Sequence, residues 1–241
     1  MKTTKKVVLI TGSSDRIGKE IAKRLISLNY KVAIHYNTNK EGALKLVKQL
    51  GDNSIALQGD LNNLNSLNNL VDKIIEHYGR WDILINNASV FEKASIEDID
   101  EKRWDLDHNV HYKGPFFLSK ALYEHLKVNG REGAIINISD SQRAPVASSY
   151  LSYHLAKGSL REQSSILAKA FSPYVRVNQV EPGPVLPLDD SHTSYFEKLK
   201  SSLPFNRLAT LDDLVSTVLF LLENNSITGA AIAVDAGGHL L

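Results

Sequence analysis

The chain has no cysteine, which excludes disulfide bridges and every chemistry that needs a thiolate. Net charge is nearly absent too. Against 28 lysines and arginines stand 27 acidic residues, leaving +1, so neither nucleic acid nor an anionic membrane surface is expected as a partner. No apolar run approaches the roughly 20 residues needed to span a bilayer. Lys2, Lys5 and Lys6 resemble the charged start of a secretory signal, yet the apolar run behind them, Val7–Ile10, stops at Thr11-Gly12. A signal core needs about 7–15 such residues, so a soluble, cytoplasmic protein is the expectation. The histidines show no metal-ligand spacing, and no metal is expected. What is present is 241 residues with 43% hydrophobic and 23% charged content, enough for one α/β domain with a substantial core.

Short apolar, β-branched runs alternate with longer helical periodicities. Val7–Ile10, Lys31–Tyr36 and residues 53–57, 83–85, 134–138, 175–180 and 230–234 read as seven strands. Helical patterns cover residues 16–28, 41–50, 64–77, 104–127, 149–171 and 211–222. Strands that are apolar on both faces and separated by helices predict a parallel sheet covered on both sides. The expectation is a single doubly wound Rossmann-type domain spanning residues 1–241, with ligands outside the carboxyl ends of the strands. One long irregular segment, 181–193, carries Pro182, Gly183, Pro184 and Pro187. A substrate-covering loop and helix near 184–205 fits that place, and a rigid surface loop is the alternative.

The first strand runs into Thr11-Gly12-Ser13-Ser14-Asp15-Arg16-Ile17-Gly18 and then a helix. Glycine at such a turn lets a pyrophosphate approach the backbone, and the helix N-terminus offers it unpaired N–H groups. Specificity between NAD and NADP is decided after the second strand, where an acid would hold the ribose hydroxyls and repel a 2′-phosphate. The chain there reads His35-Tyr36-Asn37-Thr38-Asn39-Lys40, with no carboxylate before Glu41. NADPH is the expected cofactor, and a polar loop without a ligand is the alternative.

Tyr153 and Lys157, four residues apart, share one face of a helix, so phenol and ammonium can enter one cleft. A nearby ammonium favours the phenolate and is expected to draw the tyrosine pKa down. Thirteen residues before the tyrosine stands Asp140. A carboxylate beside an oxygen that turns negative during carbonyl reduction is unfavourable unless protonated. Beside a C=N bond the sign reverses, because the nitrogen gains a proton as the carbon gains hydride. Asp140 should itself raise the tyrosine pKa by repulsion, and could hand on a proton. Ser139 and Ser141 offer hydroxyls nearby, but an extended segment turns neighbouring side chains opposite ways.

The glycine turn, Asn86-Asn87-Ala88, Tyr153 with Lys157, Pro182-Gly183, Ile227-Thr228-Gly229, Val234-Asp235 and Gly237-Gly238 together resemble the short-chain dehydrogenase/reductase family over essentially the whole chain. That family's turn is T-G-x-x-x-G-x-G, with Arg16 here in place of the second glycine. Most of its members have serine where this chain has Asp140. The resemblance implies a cofactor site built from Gly12, Ser14, Arg16, Ile17, Gly18, His35, Tyr36, Asn37, Thr38, Asp60, Leu61, Asn87, Ala88, Ser89, Tyr153, Lys157, Pro182 and Gly183. Within it Asp60 would touch adenine and Asn86-Asn87-Ala88 the adenosine ribose region.

Arg16, Asn87-Ala88-Ser89-x-Phe91 and Asp140 are similar, as a set, to pteridine reductases and bacterial dihydromonapterin reductases. That likeness implies substrate contacts from Arg16, Ser89, Phe91, Asp140 and Tyr153, with Phe91 stacked on the pterin ring opposite the nicotinamide. Core packing for Phe91, a solvated helix start for Arg16 and a plain turn for Ser89 are the alternatives. His111 stands where the family often has an asparagine that supports a water beside the lysine. It is expected to support that water or relay protons, and packing in a helix interface is the alternative. Asn109 lies two residues away, on another helical face.

The expected activity is NADPH-dependent reduction of a dihydropteridine, of dihydromonapterin, dihydrobiopterin or dihydrofolate type, to the tetrahydro form. Asp140, Tyr153, Lys157 and His111 form the expected catalytic set. A carbonyl reductase of the same fold and a non-catalytic NADP-binding regulator are the rivals. The helices near 104–126 and 149–171 resemble the family's dimer-forming faces, and a homotetramer is expected by analogy. Residues 238–241 would then reach a neighbouring subunit's site.

Overall fold

Val7, Val8, Leu9 and Ile10 are all fully buried, because successive residues of this strand point into two different cores. The computed structural model describes residues 5–141, 149–185 and 193–241, with 193–195 described by backbone alone. Its strands are β1 (Val7–Ile10), β2 (Lys31–Tyr36), β3 (Ser54–Gln58), β4 (Ile83–Asn86), β5 (Gly133–Ile138), β6 (Val175–Pro182) and β7 (Ala231–Val234). They form one all-parallel sheet in the order β3-β2-β1-β4-β5-β6-β7, the doubly wound arrangement expected from the pattern.

The helices are α1 (Arg16–Ser27), α2 (Lys40–Leu50), α3 (Leu64–Tyr78), α4 (Glu101–His108), α5 (Gly114–Val128), α6 (Leu151–Ala170), α7 (Thr193–Ser202) and α8 (Leu211–Glu223). On one face of the sheet α1, α2 and α8 pack on Val8, Ile10, Ile34 and Ile136. On the other, α3, α5 and α6 pack on Val7, Leu9, Leu84 and Val177. Cutting Leu9 back to alanine in such a core costs about 2–5 kcal/mol. No helix among the described residues is long and apolar enough to cross a membrane.

The helix expected over 104–127 is not continuous. α4 ends at His108, and a π-helical turn over Asn109–Lys113 separates it from α5. Pro115 explains the break: it has no N–H to give the carbonyl four residues back, at His111, and a wider turn absorbs the loss. Gly114 is needed there for space, since a Cβ would sit 2.9 Å from the carbonyl oxygen of Leu61. The turn changes the helical phase of His111, a position that bears on the site.

The sheet order reverses between β1 and β4, so their carboxyl ends splay and leave a crevice between them. Much of the expected covering loop, residues 186–192, lies outside the described residues.

Candidate active site

At that crevice the chain leaves β1 through Gly12, whose φ of +60° is easy only for glycine. A Cβ there would stand 2.7 Å from Cα of Ala88, so β1 and β4 can close up only around a bare Cα. Thr11 completes the junction. Its Oγ1 accepts the backbone N–H groups of Asn87 and Ala88, at 2.9 and 3.0 Å. Asn87 Nδ2 gives both its hydrogens back, to the carbonyls of Thr11 and Gly12. Gly18 does not line the cleft; a Cβ on it would hit Asn87 Nδ2 at 2.6 Å, so it serves the packing of α1 on the turn.

Arg16, in the place of the family's second glycine, adopts the left-handed backbone that favours glycine: its φ is +48°. A left-handed conformation costs an ordinary residue about 1–2 kcal/mol, which the turn supplies from its other contacts. The side chain lines a cleft of about 870 Å³ together with Gly12, Ser14 and Ile17.

His35 is placed differently from the expectation. It lines the cleft, but Nδ1 accepts the Gly12 N–H at 2.9 Å and Nε2 donates to the Gly59 carbonyl at 3.0 Å. Both ring nitrogens are thus committed to backbone and none is left for a phosphate. Burial pushes its pKa down to about 4, so the ring is neutral and acts as a strut between the ends of β1 and β3. Tyr36, Asn37 and Thr38 do line the cleft, as do Asp60, Leu61, Ala88, Ser89, Pro182 and Gly183. Asn39 caps α2 by accepting the Gly42 N–H. Its Nδ2 also donates to Asp15 at 3.3 Å, which brings a carboxylate onto a rim that looked free of acids. Asp15 belongs to the first turn, and only the folding of that turn against the end of β2 puts it there.

The second half of the cleft is built on α6. Tyr153 and Lys157 project from one face, as their spacing predicts. Lys157 is buried and donates to the Ile138 carbonyl at 2.7 Å, and burial lowers its pKa to about 8. The Tyr153 hydroxyl donates to Asp140 Oδ2 at 2.9 Å. Its pKa lies well above 10, mainly through burial and then through the Asp140 charge. The expected downward pull of the ammonium does not decide the outcome. Desolvating a phenolate beside a carboxylate outweighs it, and Tyr153 is a neutral proton donor. Ser139 and Ser141 do not substitute for the missing hydroxyl: Ser139 Oγ leans on the Val180 carbonyl at 3.5 Å, and Ser141 bonds Asp235.

His111 is not on the cleft wall. It is buried behind Tyr153, the two rings edge to face at 5.1 Å. Nδ1 donates to the Asp107 carbonyl at 2.8 Å, so Nε2 must accept, and it receives the Val90 N–H at 3.2 Å and lies 3.0 Å from Ser89 Oγ. Burial and the Lys157 charge drive its pKa well below 6.5. With both nitrogens engaged, the neutral ring anchors the 89–90 backbone beside the site, which is the packed alternative to the expected proton relay. Asn109 turns away to Asn62, at 2.5 Å.

Sequence alone does not single out every residue of the site. Tyr150 stacks on Phe91 with centroids 4.2 Å apart and planes 6° from parallel, and Phe91 also meets the Tyr153 ring edge to face. A flat heterocycle can add to that stack or take the place of Tyr150. Asp107, buried, binds Arg103 through both oxygens and accepts the Ser152 hydroxyl, so the residue before Tyr153 is tied to α4. Y-x-x-Y, with the first tyrosine one helical turn before the second, was the available hint.

A family model described as Enoyl-(Acyl carrier protein) reductase matches residues 12–239. The structure of FolM Alternative dihydrofolate reductase 1 from Brucella canis, complexed with NADP, is similar at 33% identity and a TM-score of 0.91, covering 100% of this chain and 97% of that one. Its counterpart from Brucella suis, in complex with NADP, is 34% identical with a TM-score of 0.89, covering 98% and 96%. The 3-oxoacyl-[acyl-carrier-protein] reductase FabG of Buchnera aphidicola is 30% identical over the full length of both chains. Together with the seven-stranded parallel sheet and the Tyr153/Lys157 pair, these matches establish that the chain belongs to the short-chain dehydrogenase/reductase family.

Proposed function

We propose that this oxidoreductase reduces the C=N bond of a dihydropteridine to the tetrahydro form with NADPH. The observation that carries the reading is the Asp140 carboxylate, 2.9 Å from the Tyr153 hydroxyl, in a cleft that also presents the Phe91 ring. A negative charge at that point favours a nitrogen acquiring a proton and opposes an oxygen acquiring charge. The two FolM structures, dihydrofolate reductases by name and complexed with NADP, support it.

The site fits a dinucleotide. The bare Cα of Gly12 opens the turn to a pyrophosphate, and Ser14, Arg16 and Ile17 flank it at the start of α1. Asn37 and Thr38, at the end of β2, offer neutral donors to a 2′-phosphate. Asp60 and Leu61 would border the adenine, and Ala88, Pro182 and Gly183 the nicotinamide half. Bound there, the reduced nicotinamide supplies the hydride that the ring carbon of the C=N bond takes up.

The protein supplies the proton. Tyr153 holds it at the phenol oxygen and Asp140 keeps that hydroxyl oriented. Lys157, tethered to the Ile138 carbonyl, places a positive charge beneath the tyrosine ring, 5.9 Å from its centroid. One hydride and one proton add across the bond, and solvent restores the proton. Ser89 and Phe91 position the heterocycle, while Val185 and Phe196 border the same cleft near its covering segment.

A second reading, reduction of a 3-oxoacyl carbonyl, is favoured by the similarity to FabG. Purified protein given NADPH with a panel of dihydropterins and of 3-oxoacyl thioesters or ketones separates the two. Turnover of ketones without any dihydropterin turnover would end the first reading. The active form is a homotetramer using exposed apolar residues of α5 and α6, among them Phe117, Leu155 and Ile166; a monomer in light scattering refutes that.

A further inference from the structure

The face of α6 that carries Tyr153 and Lys157 continues, four residues on, to Arg161. Its guanidinium joins two groups. Nη2 donates to the backbone carbonyl of Asp140 at 3.0 Å, and Nε lies 2.8 Å from Oε1 of Glu181. Glu181 sits near the carboxyl end of β6 and is fully buried. Burying a carboxylate costs stability that its ion pair only partly returns, so such a pair is weak evidence for a purely stabilising role.

The strand geometry shows what the pair holds. Past the end of β5, Ser139 and Ser141 give their N–H groups to Val180 and Pro182 of β6. Ile138 and Asp140, the residues that alternate with them, turn their carbonyls the other way. On that side β4 has already ended, its last pairing being Asn86 with Asn137. The two carbonyls are met from α6 instead, Ile138 by Lys157 at 2.7 Å and Asp140 by Arg161. Only Cα and Cβ separate the Asp140 carbonyl from its carboxyl group. Pinning the one therefore limits where the other can reach.

We propose that Arg161, anchored by Glu181, is a positioning residue that fixes the Asp140 backbone and thereby holds its carboxylate on the Tyr153 hydroxyl. The inference rests on Asp140 and Tyr153 being the proton-delivery pair, and not on which substrate they serve.

Arg161→Lys tests it, because a single ammonium replaces the two-pronged guanidinium and cannot hold both partners. The expected result is a fall in kcat of about tenfold with the KM for NADPH changed by less than about twofold. In an Asp140→Ala background the same substitution is expected to be nearly silent, since the group it acts through is gone. Equal fold-losses in the two backgrounds overturn the proposal. If ketones are turned over and dihydropterins are not, the cycle is read with the ketone, where Arg161→Lys is expected to raise the rate while Asp140 is present and to be silent in Asp140→Ala, and an equal change in both backgrounds overturns the proposal; this inference and the pterin reading therefore fail separately. A crystal structure of the Arg161→Lys protein gives an arm free of activity: the Asp140 carboxylate is expected out of hydrogen-bond reach of Tyr153, and a retained contact overturns the idea. Should that protein not fold, Arg161→Met with Glu181→Gln removes both charges at once and is judged by the same criteria.

Discussion

Replacing Asp140 by serine restores the hydroxyl that most of the family carries and deletes one negative charge from the cleft. With about 4 Å between the carboxylate and a nitrogen becoming protonated, and an effective dielectric of about 20, their attraction is about 4 kcal/mol. Asp140 is half-buried, so water screens part of this, and about 2 kcal/mol is the working figure. That corresponds to roughly 30-fold in kcat/KM for a dihydropterin. For a ketone the same deletion removes a repulsion from the forming oxyanion, and the rate is expected to hold or rise. The assay is NADPH oxidation by the two proteins with each substrate, with circular dichroism confirming that both are folded. Equal losses on dihydropterin and ketone would refute the electrostatic argument, because a general loss of geometry makes no distinction of sign.

His35 makes stability depend on pH. An unfolded imidazole takes a proton near pH 6.5, the folded one only near pH 4, so stability falls as pH drops through that window and is then level; that difference corresponds to about 3 kcal/mol. His35→Gln should flatten that part of a urea-denaturation pH series, and an unchanged slope contradicts the strut. Lys157 acts with the same sign on the alkaline side. Its folded ammonium loses its proton near pH 8 and the unfolded one only near pH 10, so stability should rise between pH 8 and 10, and Lys157→Met should abolish the rise. Gly12→Ala drives a Cβ against Ala88 at a positive φ, and a loss of about 2–3 kcal/mol with weakened NADPH binding is expected; fluorescence titration showing wild-type affinity would count against the turn as the pyrophosphate site.

The elements that were legible are those whose signal is local. β1 and β2 match the predicted strands residue for residue, and α1, α3 and α8 end within about a residue of the pattern, because both sheet faces and one stripe of each helix are apolar. The break within residues 104–127 is not legible in the periodicity, which does not register one extra residue in a turn, although Gly114-Pro115 marks the place. His35 is legible only in part. Its spacing places it at the edge of the cleft, but whether an imidazole faces ligand or backbone depends on Gly12 and Gly59, which arrive from two other strands. Tyr150 and Asp107 are ordinary residues until packing sets them against Phe91 and Ser152.

Sequence alone was enough to settle the parallel α/β architecture, the glycine turn and the sharing of one helical face by Tyr153 and Lys157, since each follows from near neighbours along the chain. Tertiary structure decided which way the tyrosine titrates, that His111 is locked rather than mobile in its protonation, and that Asp15 joins the rim of the cleft. Those properties are sums over groups brought together from distant segments, and desolvation in particular has no value until the chain has closed around the group.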